Sequence, residues 1–181
     1  MEFERRTARM WVRPLAPADR EEWVRASVLS EPLVGPWSPA RPADFTWDAQ
    51  FDRMIEQNAG GHSLRLVGFL PDRRLAGWFN LSGITRGPFQ NAYAGWSVSA
   101  EVAGLGYATE GVRALLDIAF TAGPTGLGLH RVQAGVIPRN VRSVRVAEKC
   151  GFRLEGRAVR YLEIAGVYED HLLYARLAEE R

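Results

Sequence analysis

The sequence predicts an α/β (α+β) fold, a mixed and mostly antiparallel sheet of about seven strands flanked by about four helices. Three observations carry this. Apolar residues make up 46% of the 181 residues, enough for the core of one soluble domain spanning 1–181 and too little chain for two comfortable ones. Segments rich in β-branched and aromatic residues recur between glycine- and proline-bearing turns. Between them run stretches with apolar residues at helical spacing, and no repeat or linker divides the order.

Taken along the chain, "RMWVRPL" reads as a first strand, and a helix follows from about Pro17 with Asp19, Glu21 and Glu22 in its first turn, where acids favour the helix dipole. The four prolines of "SEPLVGPWSPARPAD" predict a loop. Asp44 is placed to cap a second helix carrying Phe45, Trp47, Phe51, Met54 and Ile55, ended by "NAGG". "HSLRLVGFL", the turn "PDRR" and "LAGWFNLSGI" form an antiparallel hairpin, and "NAYAGWSV" a fourth strand. Residues 107–122 carry Leu115, Leu116, Ile118, Ala119 and Phe120 at helical spacing. "HRVQAGVI" is a strand, a short helix begins near Asn140, and "FRLEGRAVRYLEI", "AG" and "VYEDHLLYARL" make a final hairpin.

Composition narrows the function classes. The 23 basic and 21 acidic residues leave a formal charge of +2, so no global field argues for nucleic acid or a membrane surface. Lys149 is the only lysine, which reads as a coding preference for arginine. A lone cysteine, Cys150, excludes an internal disulfide and fits a reducing compartment. Glu2, Glu4, Arg5 and Arg6 stand where a signal peptide would be apolar, so the expectation is a cytoplasmic protein. His62, His130 and His171 show no metal-ligand spacing, and no metal is expected.

The stretch "AGLGYATEG" holds the chemistry. Glycines at 104 and 106 sit between a strand and a helix, where free backbone N–H groups and the helix dipole meet and bind phosphate. A P-loop needs a Gly-Lys pair that the single Lys149 cannot supply, and the dinucleotide fingerprint needs a small third residue where Thr109 stands. Taken alone, the two glycines fit a plain tight turn equally well.

"WSVSAEVAGLGYATEGVRALLDIAF", "HRVQAGVIPRNVRSVRVAEKCGFRLEG" and "YLEIAGVYEDHLLYARL" resemble the GNAT acetyltransferases, and among them the RimJ/RimL branch that acetylates N-terminal alanines of ribosomal proteins. The likeness runs from about Tyr93 to Leu177. It implies acetyl-CoA as co-substrate, with its pyrophosphate on the amides of Leu105, Gly106, Tyr107, Ala108 and Thr109, and the Thr109 hydroxyl as a further donor. Gly104 opens the loop, and Gly106 is wanted because a Cβ there would obstruct the ligand. Ala103 departs from the Gln or Arg with which the family's loop usually begins. The backbone of Trp96, Ser97 and Val98 would pair with the pantetheine arm, which requires that strand edge to be splayed open.

Direct transfer to an amine needs no nucleophile on the protein, and Cys150 is expected to be inert. The resemblance makes Ser143 the hydroxyl that protonates the departing thiolate, and gives Asn140 a pantetheine contact beside its ordinary role as an N-cap. Glu163, facing Glu169 and Asp170 across the last hairpin, is the candidate base, with Glu101 an alternative. Trp37 and Trp47 would border the acceptor. That acceptor is a primary amine, first of all a protein N-terminus, with a small amine such as an antibiotic or polyamine as the alternative. A degenerate acetyl-CoA-binding protein without turnover is the other class the sequence leaves open, and a homodimer is compatible with the family.

Overall fold

In the computed structural model, which describes residues 3–180 and so leaves out Glu2, eight strands form one sheet in the order β1-β2-β3-β4-β5-β6-β8-β7. The strands are β1 (Arg5–Arg6), β2 (Trp11–Pro14), β3 (Ser63–Phe69), β4 (Leu75–Thr85), β5 (Asn91–Val98), β6 (Arg131–Val136), β7 (Arg153–Ile164) and β8 (Val167–Leu177). The helices are α1 (Arg20–Val34), α2 (Trp47–Ala59), α3 (Tyr107–Phe120) and α4 (Val141–Lys149). Every neighbouring pair is antiparallel except β5–β6. The expected seven strands become eight because β1 pairs two residues with β2, too short a run to show a period.

Each face of the sheet buries its own core. On one, Phe79 and Leu81 of β4 and Ala92 of β5 pack under Val112, Leu115 and Ala119, which recur at helical spacing on α3. On the other, Trp78 and Val67 meet Trp23 of α1 and Phe51 of α2, with the Trp23 ring edge-on to Trp47 and to Phe51 at 5.8 and 5.5 Å. Fully burying a side chain such as Phe51 contributes about 1.5–3 kcal/mol. The helix α3 lies close on β4 because Gly111 has no Cβ, and one built there would overlap the Phe79 ring.

Two local expectations are corrected. Helix α1 runs on to Val34, through Pro32, where a loop was expected from Ser30. Pro32 stands in the last turn, so the one carbonyl left without its amide belongs to Val28, an exposed residue that water can serve. The cap of α2 is Thr46, whose Oγ accepts from the Ala49 amide, and not Asp44. At the last hairpin Ala165 and Gly166 take φ of 50° and 83°, the pair of positive values a two-residue type I′ turn demands. Among the described residues no helix is long and apolar enough to cross a membrane.

Candidate active site

The site begins where β5 leaves β6. These strands pair over only three residues, Asn91 with Arg131, Ala92 with Val132 and Tyr93 with Gln133. Beyond Tyr93, β5 runs on to Val98 with its far edge bound to β4 and its near edge unpaired by β6. Successive residues turn their backbone groups to opposite edges, and with the Ser99 amide donating to Ala76 the groups of Ser97 face β4 while those of Trp96 and Val98 face an open cleft. A cavity of about 190 Å³ fills that cleft, and Trp37, Gly95, Trp96, Asn140, Ser143 and His171 are among its lining residues.

Asn140 and Ser143 come from the head of α4. The Asn140 side chain caps the helix, its Oδ1 accepting from the Ser143 amide at 3.2 Å, and this fixes the two residues relative to one another. His171 arrives from β8, 4% exposed, with Nδ1 3.0 Å from the carbonyl oxygen of Glu169. A carbonyl only accepts, so Nδ1 carries the proton and Nε2 keeps its lone pair in the neutral ring. Glu169 pairs through its carboxylate with Arg139, whose guanidinium lies 4.9 Å from the centre of the Trp37 ring. A chain of contacts thus runs from Trp37 through Arg139 and Glu169 to His171.

The carboxylates proposed from the sequence are elsewhere. Glu163 is exposed on β7, lies opposite Tyr168, and lines neither this cavity nor the larger one on the other face. Glu169 faces Leu162 rather than Glu163. Glu101 is held below the ordinary carboxylate range by Arg25 above all, with Arg74 adding to it. Asp170 is lowered by the Arg160 amide and then by Arg157. Carboxylates so engaged are poor bases.

At the far end of β5 the glycine loop leads into α3. Gly104 and Gly106 have φ of 81° and 88°, and Gly106 caps the helix in the left-handed conformation. Within the protein a Cβ at Gly106 would meet only Arg9 Nη2, at an ordinary 3.5 Å, and the backbone angle by itself favours glycine there. The Leu105 amide is also taken, since it donates to the Val102 carbonyl at 3.2 Å. Tyr107, Ala108 and Thr109 open the helix, where amides have no carbonyl one turn earlier. Ala103 adds no polar side chain, but Arg9 does. Its guanidinium stacks 4.0 Å from the Tyr107 ring centre and donates to the Leu105 carbonyl at 2.9 Å. Glu110 holds it there through Nε and the Arg9 amide. Burial works to raise the Glu110 pKa, and the hydrogen bonds from Thr7 and Arg9 outweigh it, leaving the carboxyl below its usual range.

Cys150 is buried behind this loop. Its thiol donates to the Thr109 carbonyl at 3.5 Å, and burial pushes its pKa up to about 11. A thiol so held is neutral near pH 7 and no nucleophile.

Residues 9–153 match the family described as the acetyltransferase (GNAT) domain. The chain belongs to the GNAT acetyltransferases. It is 36% identical over 173 residues to the probable N-acetyltransferase YjcK of Bacillus subtilis, covering 93% of each chain. Among solved structures, the ribosomal-protein-S5-alanine acetyltransferase of Vibrio fischeri superposes with a TM-score of 0.86 at 28% identity, covering 98% of this chain and 97% of that one. RimJ of Mycobacterium smegmatis, in complex with CoA-disulfide, gives 0.84 at 31% identity, with 94% and 83% covered. As a GNAT enzyme the chain is an acetyl-CoA-dependent N-acetyltransferase. Among the described residues no group of three or more His, Cys, Asp and Glu side chains is placed to hold a metal.

Of the residues expected from the sequence, the structure brings Trp96, Asn140 and Ser143 to one cavity, and gathers Gly104 to Thr109 at the head of α3. Sequence reasoning missed Arg9, which reaches the loop from about a hundred residues away, and His171 as a group in the cleft. Only the antiparallel return of β8 beside β6 places His171 there.

Proposed function

We propose that this enzyme transfers the acetyl group of acetyl-CoA to the α-amine of a protein N-terminus. One observation carries the reading: Asn140, Ser143 and His171 line one cavity on the open edge of β5. The backbone of Trp96, Ser97 and Val98 lies along the pantetheine arm. The amides of Gly106, Tyr107, Ala108 and Thr109, with Arg9 beside them, take the pyrophosphate. Asn140 keeps its cap and meets the arm from the other side.

In the reaction the acceptor must lose a proton and the departing thiolate must gain one. His171, in place of Glu163, takes the first at Nε2, and the Ser143 hydroxyl supplies the second. An α-amine, with reference pKa about 7.7–8.0, yields its proton to a weak base far more readily than a lysine at about 10.4. Names among the relatives support the same acceptor, since two neighbours of this chain are named for acetylating ribosomal protein S5 at alanine. The free, buried thiol of Cys150 fits a reducing compartment, and we place the activity in the cytoplasm.

The test is thiol release from acetyl-CoA with matched peptides, one offering only a free N-terminal alanine and one only a lysine side chain, with spermidine as a third acceptor. The α-amine should be acetylated fastest near neutral pH, and His171→Gln should lose most of that rate and recover part of it as the pH is raised. Equal or faster acetylation of the lysine peptide would overturn the assignment.

A further inference from the structure

A second cavity, about 410 Å³, lies on the opposite face of the sheet between α1, α2 and the chain joining them. It shares a wall with the cleft. Ser97 and Ser38 line this cavity while Trp96 and Trp37, their chain neighbours, line the other. Gly95 adds no side chain to the strand between them. An acceptor whose amine sits in the cleft therefore has the larger cavity next to it, beyond the unpaired edge of β5.

The walls there are aromatic, with Trp23, Trp78, Phe45 and Trp47 contributing. Into the corner made by Phe45 and Trp47 the chain puts its own cation. The Arg41 guanidinium lies 4.4 Å from the Phe45 ring centre and 4.1 Å from that of Trp47, and it is paired with Glu31. Aromatic faces with a carboxylate are the surroundings that recognise an ammonium or guanidinium ligand. Here that place is already taken. The charged groups lining the cavity are Glu31, Arg41 and Arg53, so once Glu31 is spent on Arg41 the wall is left with a net positive charge.

We infer that this cavity receives the residue following the acetylated amine, and that Arg41 makes it prefer a neutral or acidic residue over a cationic one. The inference rests on the proposed α-amine acceptor and adds its second position. A lysine at that position, or the distant ammonium of a polyamine, meets Arg41 and Arg53 with no free carboxylate. A glutamate meets two donors.

The experiment compares peptides beginning Ala-Glu and Ala-Lys, and spermidine, on the wild-type enzyme and on Arg41→Met and Arg41→Lys, with thermal melts and acetyl-CoA titrations to show that each variant is folded and loaded. The wild type should favour Ala-Glu by about tenfold in kcat/KM, the scale of one charged contact of this kind. Arg41→Met should cut that preference about tenfold and raise spermidine turnover, because Glu31 and the two rings are released to a ligand cation; Arg41→Lys should keep the wild-type order. If both peptides turn over and the preference is absent, or survives unchanged in Arg41→Met, the subsite is wrong while the acceptor class stands. If neither peptide turns over, the acceptor class and the subsite fall together.

Discussion

Gly106→Ala isolates the part of the site proposed to hold the co-substrate. Gly106 has φ of 88°, and a Cβ added there would have Arg9 Nη2 as its nearest neighbour at 3.5 Å. No clash contributes, so the cost is conformational: an L-residue in the left-handed region pays roughly 1–2 kcal/mol. In a chain of this size each kcal/mol moves Tm by about 2–4 °C, so a fall of about 2–8 °C is expected. The strain can be relieved only by rotating the backbone that aims the amides of Tyr107, Ala108 and Thr109. Losing one well-aimed donor to a phosphate costs about 1.4 kcal/mol or more, which is at least tenfold in Kd. Differential scanning calorimetry and a calorimetric titration with acetyl-CoA read the two effects separately. A folded variant with the lower Tm and an unchanged Kd would refute the argument, because the strain would then be present without any consequence for the ligand.

Ser143→Ala should lower turnover roughly ten- to a hundredfold with little change in acetyl-CoA affinity, whereas Asn140→Ala should lose about 1 kcal/mol of stability with its cap and bind the co-substrate less tightly; normal turnover in folded Ser143→Ala would leave water as the proton donor. Cys150 gives a pH dependence whose sign is set by burial, which raises its folded pKa to about 11, above the value near 9 of a free thiol. Its contribution to stability is complete below about pH 9 and is lost as the pH climbs towards 11, because the unfolded chain ionises first. Denaturation curves across that window should flatten in Cys150→Ala, and a drop that is identical in the variant would assign the effect to other groups.

Much of the fold was legible because its elements announce themselves locally. The apolar runs of β3 and β4 on either side of the turn after Phe69, the apolar stripe of α3 and the turn at Ala165 and Gly166 are all short-range signals. What misled was also local. Four prolines argued against a helix through Pro32, yet one proline in a last turn gives up a single amide whose carbonyl partner faces solvent. The site divides in the same way. Ser143 and Asn140 are neighbours on one helix end and could be read together, and the glycine loop has a spacing of its own. Arg9 and His171 become members of the site only through sheet order and long-range pairing, for which one sequence carries no sign. Glu163 shows the complementary case: an acid near the turn of the last hairpin, which the register sets opposite Tyr168 and which is not among the residues lining the cleft.

The divergence of β5 and β6 explains how these parts could serve the one ligand proposed for them. A parallel pair sends both strands out at the same end, and each here is followed by a helix, α3 after β5 and α4 after β6. Both helices therefore begin beside the opening, and both bring unpaired amides and a partial positive charge to it. At α3 the first amides have no carbonyl one turn earlier and the Arg9 guanidinium, held by Glu110, lies beside them as a further donor, which suits phosphate. At α4 Asn140 caps the Ser143 amide, which quiets that end and leaves a hydroxyl for a proton rather than a cradle for an anion. From this difference follows the direction we propose for the co-substrate: phosphates at α3, thioester at α4, with the free edge of β5 between them. Across that edge stands the cavity that Arg41 lines. On this proposal transfer and selection occupy opposite faces of one strand, so a substitution on the acceptor side, such as Arg41→Met, should change which amine is chosen without disturbing the groups that move the protons.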